Sequence, residues 1–374
     1  MGLLTAGRRE ACLEQIPPDV VALADYERRA REALTHDVFE HIAGGSGEGR
    51  CLLANRAAYD ELQVYSRVLV DCRHGSTATR LFGEPFAHPI LLAPVAYQQL
   101  VHPDGEVATA RAAAALDTGM IVSTLASTTL ERVASELRRH KWFQLYFQKD
   151  RGATATLVSR AEKAGYGALV VTVDTPITAM RHRAARAGFR HPSSVVAANL
   201  EAAPPPTEVV LPSGASRVFQ GVMATAPQWA DVRWLRAETK LPLLLKGLLH
   251  PDDVAQAIEL GVDGVVVSNH GGRALDAAPP ALAALRAIRA TVPGDFPLLI
   301  DGGIRSGADV FKALALGARA VLIGRPQLYA LAVAGAIGVA HMLRVLRDEL
   351  EVTMALAGCP TIDSITERAL WTAT

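Results

Sequence analysis

One pattern limits what this chain can fold into: a short apolar or β-branched run followed by a segment of helical period, eight times in succession. The strand-length runs lie at 90–93, 120–123, 142–147, 168–173, 243–246, 264–268, 297–301 and 320–323. The helical segments follow at 105–116, 130–138, 153–164, 230–238, 251–260, 281–290, 307–316 and 328–336. Strands alternating with helices pair in parallel, because each crossover helix returns the chain to the same end of the sheet. Eight such units fit a closed (β/α)8 (TIM) barrel of the α/β class better than an open doubly wound sheet. An open sheet also wants a Gly-rich dinucleotide turn after its first strand, and Ala93-Pro94-Val95-Ala96 is not one.

Residues 1–85 precede the first unit and read as an N-terminal helical extension. Asp25 is placed to cap a helix over 26–34, and a second helix over 36–42 ends at Gly44 and Gly45. One irregular stretch, 190–228, interrupts the alternation after strand four and carries Pro204, Pro205, Pro206, Pro212, Gly214 and Gly221. A loop of that length is either a lid or linker-like filler, and its position on the catalytic face of a barrel favours a lid. The whole, 1–374, reads as one domain.

Lys plus Arg and Asp plus Glu both number 38, so no basic excess marks a nucleic-acid partner. Uninterrupted apolar runs stay at strand length, well short of a membrane span. The N-terminus shows neither a secretory signal nor a myristoylation pattern. Cys12, Cys51, Cys72 and Cys359 are scattered, which reads as free thiols in a reducing cytoplasm.

Barrel chemistry sits at the C-terminal ends of strands. Strand three ends Gln144-Leu145-Tyr146, strand four Thr172-Val173-Asp174, and strand five Lys246. Strand six runs into Ser268-Asn269-His270-Gly271-Gly272-Arg273, strand seven into Asp301-Gly302-Gly303 and then Arg305, and strand eight into Gly324-Arg325. Each residue alone has an ordinary reading, a satisfied loop histidine or a surface lysine. Their convergence on one rim is what a purely structural barrel does not explain. The Gly-rich turns after strands seven and eight match the usual phosphate position of barrels. Gly302 and Gly303 let backbone approach a phosphate, Arg305 and Arg325 add charge, and Ser306 opens a helix whose amide end favours an anion. No H-x-x-H pair or carboxylate cluster lies on this rim, so a metal site finds no ligand set.

These motifs resemble those of the FMN-dependent 2-hydroxy-acid oxidases and dehydrogenases, the family of glycolate, lactate and hydroxymandelate oxidases. The resemblance rests on 268–273 with the downstream Asp301-Gly302-Gly303-Ile304-Arg305, and extends through Ala93-Pro94-Val95-Ala96, His102-Pro103-Asp104-Gly105-Glu106 and Thr172-Val173-Asp174-Thr175-Pro176. It implies FMN, oxidation of an (S)-2-hydroxy acid to the 2-oxo acid, and a homotetramer. It implies that His270 takes the substrate proton while Asp174 pairs with the imidazolium. It gives the substrate carboxylate to Arg273 and Arg181, and a hydrogen bond on substrate to Tyr146. Lys246 is implied beside the flavin N1 and O2 edge. Gln144, Thr172, Ser123 and the backbone of Pro94, Val95 and Ala96 are implied around the ring, and Ser268 among the cofactor-binding residues. Asp301 would hold ribityl hydroxyls, and Gly302, Gly303, Arg305, Gly324 and Arg325 the phosphate.

The chain departs from the family pattern in places. His41 stands where relatives carry a tyrosine that helps bind the carboxylate. It either donates to substrate, with pH-dependent affinity, or only fills space. Leu125 replaces a tryptophan, and Thr178 replaces a larger apolar residue. Both changes enlarge the pocket and point to a mandelate-like or branched substrate. Arg183 and Arg186 are extra charges that either meet an anionic substrate or solvate the lid, the second being favoured. No haem domain precedes residue 25 and no anchoring insert stands in the lid, which favours O2 as acceptor with H2O2 as product. A soluble dehydrogenase with another acceptor stays open, as do an FMN-dependent isomerase and a non-catalytic FMN-binding barrel.

Overall fold

The eight runs pair in parallel and close on themselves in the order β7-β8-β1-β2-β3-β4-β5-β6. The strands are β1 (Ile90–Leu92), β2 (Gly119–Ser123), β3 (Lys141–Leu145), β4 (Leu169–Thr172), β5 (Leu243–Leu248), β6 (Gly264–Val267), β7 (Leu298–Asp301) and β8 (Ala320–Ile323). The computed structural model describes residues 15–200 and 211–371. Each strand is buried on both faces, as parallel strands wrapped by helices must be. Alternate residues enter two different cores. Leu91, Ile121, Trp142, Val170, Leu244, Val266, Leu299 and Leu322 pack together inside the barrel, while their neighbours pack outward under the helices.

A hairpin closes the N-terminal end of the barrel. Its strands, Thr79–Leu81 and Glu84–Phe86, are joined at Phe82 and Gly83 with φ of 50° and 83°. Leu81 and Phe86 join the interior core. A Cβ at Gly119 would stand 3.0 Å from the Phe86 ring, and one at Gly264 3.1 Å from Phe82. The two glycines start β2 and β6 and leave room for the plug.

Among its described residues the extension holds three helices, α1 (Leu23–Ala33), α2 (His36–Ala43) and α3 (Arg50–Asp60). Asp25 sits inside α1 at its third position, where its carboxylate accepts from the Val21 and Ala22 amides at 3.1 and 2.9 Å. It is therefore not the cap residue itself. The extension is also less purely helical than expected, since the hairpin and the strand Gln63–Val64, paired with Leu370–Trp371, lie outside the barrel.

The seven crossover helices α4 (Gly105–Ala115), α5 (Leu130–Glu136), α6 (Arg151–Lys163), α8 (Trp229–Glu238), α9 (Pro251–Glu259), α10 (Ala281–Arg289) and α11 (Gly307–Ala315) fall where the periodicity predicts them. The short α7 (His182–Arg186) lies in the long connection after β4. The last helical segment runs far beyond 336. α12 spans Arg325–Leu356 with a kink at Ala334 and Gly335, where Gly335 has φ of 55°. By length and composition it passes for a membrane span, but 61% of its apolar window is buried inside the fold. It packs on α1, where the Tyr26 hydroxyl meets His341 Nδ1 at 2.9 Å.

The stretch after β4 is more structured than a plain loop. Asn199 accepts from the Leu130 amide at 2.7 Å, and Ala198 N donates to Ala126 O at 2.9 Å. Helical turns form at Arg217–Gly221 and Val222–Thr225. Residues 201–210, with Pro204, Pro205 and Pro206, lie outside the described residues.

Candidate active site

Strand parity builds the rim. Two positions beyond the interior layer, the strands bring Ser123, Gln144, Thr172, Lys246, Ser268 and Asp301 to the barrel mouth. Lys246 is buried there, and a buried ammonium needs anionic partners. Its Nζ lies 3.0 Å from Asp301 Oδ2 and donates to Ser268 Oγ at 2.9 Å. Burial works against its charge, but Asp301 and Asp174 outweigh burial and raise its pKa.

Ser268 Oγ donates to Asp301 Oδ1 at 2.6 Å and accepts from the His270 amide at 3.0 Å as well as from Lys246. Its one proton and two lone pairs are then used. The Ser268 hydroxyl supports the His270 turn from behind. Asp301 likewise spends one oxygen on Ser268 and the other on Lys246 before any ribityl hydroxyl arrives.

His270 has φ of 59°, followed by Gly271 at 61° and Gly272 at 73°. A left-handed non-glycine residue is costly and persists where surrounding contacts hold it. His270 Nδ1 lies 2.9 Å from Asp174 Oδ1. The carboxylate accepts, so Nδ1 carries the proton and Nε2 keeps its lone pair. Burial and Lys246 lower the His270 pKa, with Asp174 opposing them. Burial raises the Asp174 carboxyl, but Lys246 and His270 outweigh it and leave it lowered. The pair is a neutral imidazole on a charged carboxylate. β5 bulges between Lys246 and Leu248, and Gly247 at φ 111° leaves no room for a Cβ against Asp174.

Above this pair lie cations without an acid. Arg181 Nη1 is buried and has no hydrogen-bond partner among the described residues. Arg273 Nη1 donates to the carbonyls of His41, Ile42 and Gly44 at 2.9, 3.1 and 3.0 Å, at the C-terminal end of α2. Arg325 spends Nε on Ile42 O at 2.9 Å, Nη1 on Gly271 O at 2.8 Å and Nη2 on Gly44 O at 2.8 Å. Burial, then Arg181 and Arg325, drive the Arg273 pKa well below its ordinary value. A guanidinium keeps its proton even so, and an incoming anion relieves that repulsion.

His41 stacks on Phe189 with ring centres 3.9 Å apart. Burial, Arg273, Arg181 and His191 push its pKa down to about 3. Burial and the neighbouring cations therefore favour the neutral imidazole in the free site. Arg183 and Arg186 are ion-paired while keeping part of their side chains in solvent. Arg183 Nε donates to Glu40 at 2.7 Å, and Arg186 pairs with Glu48 at 3.1 Å, both on the N-terminal extension.

All of this opens on a cavity of about 580 Å³. His41, Tyr146, Arg181, Lys246, His270 and Arg273 line its polar side. Pro94, Val95, Ala96 and Leu125 line another wall, and Asp301, Gly302, Gly303, Arg305, Gly324 and Arg325 a third. Ser123, Gln144, Thr172, Asp174 and Ser268 stand behind these walls.

Residues 30–372 match the FMN-dependent dehydrogenase family. The chain belongs to that family. It is 50% identical over 357 residues to an L-lactate oxidase of Alicycliphilus denitrificans, covering 96% of this chain and 98% of that one. It is 45% identical over 351 residues to a 4-hydroxymandelate oxidase of Amycolatopsis orientalis, covering 91% and 96%. A crystal structure of mandelate oxidase with 3,3-difluoro-2-hydroxy-3-phenylpropionic acid matches with a TM-score of 0.85 at 43% identity, over 94% of this chain and 99% of that one. The protein is thus an FMN-dependent oxidoreductase of the 2-hydroxy-acid oxidase family.

The residues present fit the flavin of this family. Gln144 Oε1 accepts from Ser123 Oγ and Thr124 N at 3.1 and 3.2 Å, while its buried Nε2 has no partner among the described residues and can donate to a ring acceptor. Gly302 and Gly303 have φ of 94° and 84°, and a Cβ at Gly303 would stand 2.5 Å from Asn55 O. That turn leaves bare backbone beside Arg305, whose Nη1 donates to its neighbour Ile304 O at 2.8 Å.

Other residues at this family site carry no sequence signal that singles them out. Asn55 Nδ2 donates to Asn269 Oδ1 at 2.8 Å, and Asn55 Oδ1 accepts from Asn269 Nδ2 at 2.9 Å and Ala281 N at 3.0 Å. Arg56 bonds Gly303 O and pairs with Asp309 at 2.6 Å. Tyr97, at φ 54°, lines the cavity and packs edge-on against His191 at 4.4 Å.

Proposed function

We propose that the chain oxidises an (S)-2-hydroxy acid with a side chain larger than that of glycolate, with O2 as electron acceptor and H2O2 as product. The carrying observation is that the neutral base His270 opens into the same cavity as Arg181 and Arg273, which have no acidic partner among the described residues. The two guanidinium groups take the substrate carboxylate. Tyr146 offers its hydroxyl to the substrate from the same wall. His270 Nε2 receives the substrate proton, and Asp174 holds the imidazolium that forms. Lys246 keeps a positive charge under the cofactor site, where it offsets negative charge as electrons arrive. Bound FMN supplies the two-electron acceptor of the reaction. His41, neutral in the free site, is an uncharged donor beside the carboxylate.

Leu125, Thr178 and Ala179 line the cavity where a bulky residue would shrink it, which supports a mandelate-like or branched side chain. A lactate-sized substrate is the second reading, favoured by the 50% identity to an L-lactate oxidase. Anaerobic flavin bleaching by glycolate, lactate and mandelate ranks the substrates. A clear preference for glycolate sinks the pocket argument, and no bleaching by any of them sinks the catalytic one. Oxygen uptake with peroxide release then separates oxidase from dehydrogenase.

A further inference from the structure

Two thiols outside the active site lie near the far end of α12. Cys72 and Cys359 sit near opposite ends of the sequence. The extension loop carrying Cys72 runs beside the chain that leaves α12: Arg67 N donates to Leu356 O at 2.9 Å, and Ser76 N to Pro360 O at 2.8 Å. The Cβ position of Gly75 lies 3.1 Å from Cys72 O and 3.2 Å from Pro360 O, so the backbones flanking the two cysteines touch. Cys72 Sγ lies 4.0 Å from Ala355 O and Cys359 Sγ 3.7 Å from Ala357 O, carbonyls two residues apart at one helix end. Both thiols are free, Cys72 half-buried and Cys359 buried. Burial raises the Cys359 pKa, and the charge of Cys72 adds to that rise, so the two groups sense each other.

We propose that Cys72 and Cys359 form a peroxide-responsive pair that closes to a disulfide. The exposure difference sets the order of events. The Cys72 thiolate attacks hydrogen peroxide, the O–O bond breaks, and hydroxide leaves behind a sulfenic acid. The Cys359 sulfur then attacks Cys72 Sγ, its proton goes to the departing oxygen, and water leaves. In sum two thiols and one hydrogen peroxide give one disulfide and two waters. The peroxide source rests on the oxidase reading above; the pair itself does not, because added peroxide replaces that source. The bond would tie a loop whose Leu69 is fully exposed at φ 61° to the end of the long C-terminal helix. It would enclose most of the chain in one covalent loop, which restricts the unfolded state.

The test uses the full-length FMN-loaded protein, treated with hydrogen peroxide, alkylated without reduction and mapped by mass spectrometry. The expected result is a peptide joining Cys72 to Cys359, the loss of two of the four thiols, and a rise in Tm that dithiothreitol reverses. Cys51, whose pKa burial pushes up to about 11, stays reduced. Cys72→Ser abolishes the cross-link, and Cys359→Ser leaves a Cys72 sulfenic acid that dimedone traps. Sulfinic acid at Cys72 with Cys359 still free, or two unchanged thiols, overturns the proposal. A cross-link with added peroxide but none during aerobic turnover of mandelate upholds the pair and counts against the oxygen reading.

Discussion

The barrel and its N-terminal extension divide the work of the site unequally. The barrel supplies the reactive groups: His270, Asp174, Lys246 and Arg273 all stand on strand ends or in the turns after them. The extension supplies His41 and many of the restraints. The carbonyls of α2 hold Arg273 and Arg325, Asn55 and Arg56 of α3 grip the turns after β6 and β7, and Glu40 and Glu48 fasten the segment carrying Arg181. The difference teaches that a barrel rim places groups, whereas a second layer fixes how far they can stray. Displacement of about 1 Å is enough to cost a large part of a catalytic rate.

The division breaks if the wrong variant loses the wrong property. His270→Asn is expected to have the largest effect, slowing anaerobic flavin reduction by about 10²–10⁴-fold while FMN stays bound. Loss of FMN along with the rate would mean that the base turn also holds the cofactor. In the native protein the base works only when neutral, so kcat/KM falls as acid protonates it. Burial and Lys246 depress that pKa, so the acid limb is expected below pH 6.5. A limb at or above that value contradicts the buried assignment.

Asn55→Ala comes next. It strands Asn269 and the Ala281 amide, at a cost of about 2 kcal/mol of stability for unpaired buried groups. It should also weaken FMN binding to the apoprotein by about tenfold, equivalent to ~1.4 kcal/mol, with little change in substrate KM. Equal loss in KM would show that α3 braces the substrate side too. Glu40→Gln should do less. Its partner Arg183 is partly exposed, so Tm shifts by no more than ~1 kcal/mol allows. The sharper readout is KM, expected to rise about two- to threefold as the loop carrying Arg181 loosens, an order-of-magnitude figure in line with a weak ion pair.

The smallest effect concerns His41. Since burial and the neighbouring cations hold it neutral, the KM ratio of His41→Phe to native protein should stay flat from about pH 5.5 to about pH 8, the ordinary histidine range. A ratio that changes through that range would show that bound substrate returns the proton to His41.

Much of the barrel is legible in the sequence because period two and period 3.6 are local properties. β8 falls where its apolar run stands, and the other strand ends shift by one or two residues. α3 is not legible for an equally local reason. Its buried face is Cys51, Asn55 and Tyr59, and an amide in the middle breaks the apolar stripe that marks a helix. α12 hides its second half because Gly335 and Gly338 interrupt a run that packing then continues. Among site residues, the motif positions that line the cavity are readable. Tyr97 and Phe189 are not, since ring contacts across the mouth depend on where two separate loops meet.

The sequence by itself determined the alternation of strand and helix, and with it the end of the barrel where His270, Lys246, Asp174 and the arginines gather. Chain geometry carries that information along a few neighbouring residues. Only the tertiary structure decided which of those groups remain free to meet a ligand: Ser268 is consumed by three protein partners, Arg325 by three carbonyls, and His41 loses its proton. Hydrogen-bond saturation and electrostatic field are sums over neighbours from distant parts of the chain, and no stretch of sequence contains them.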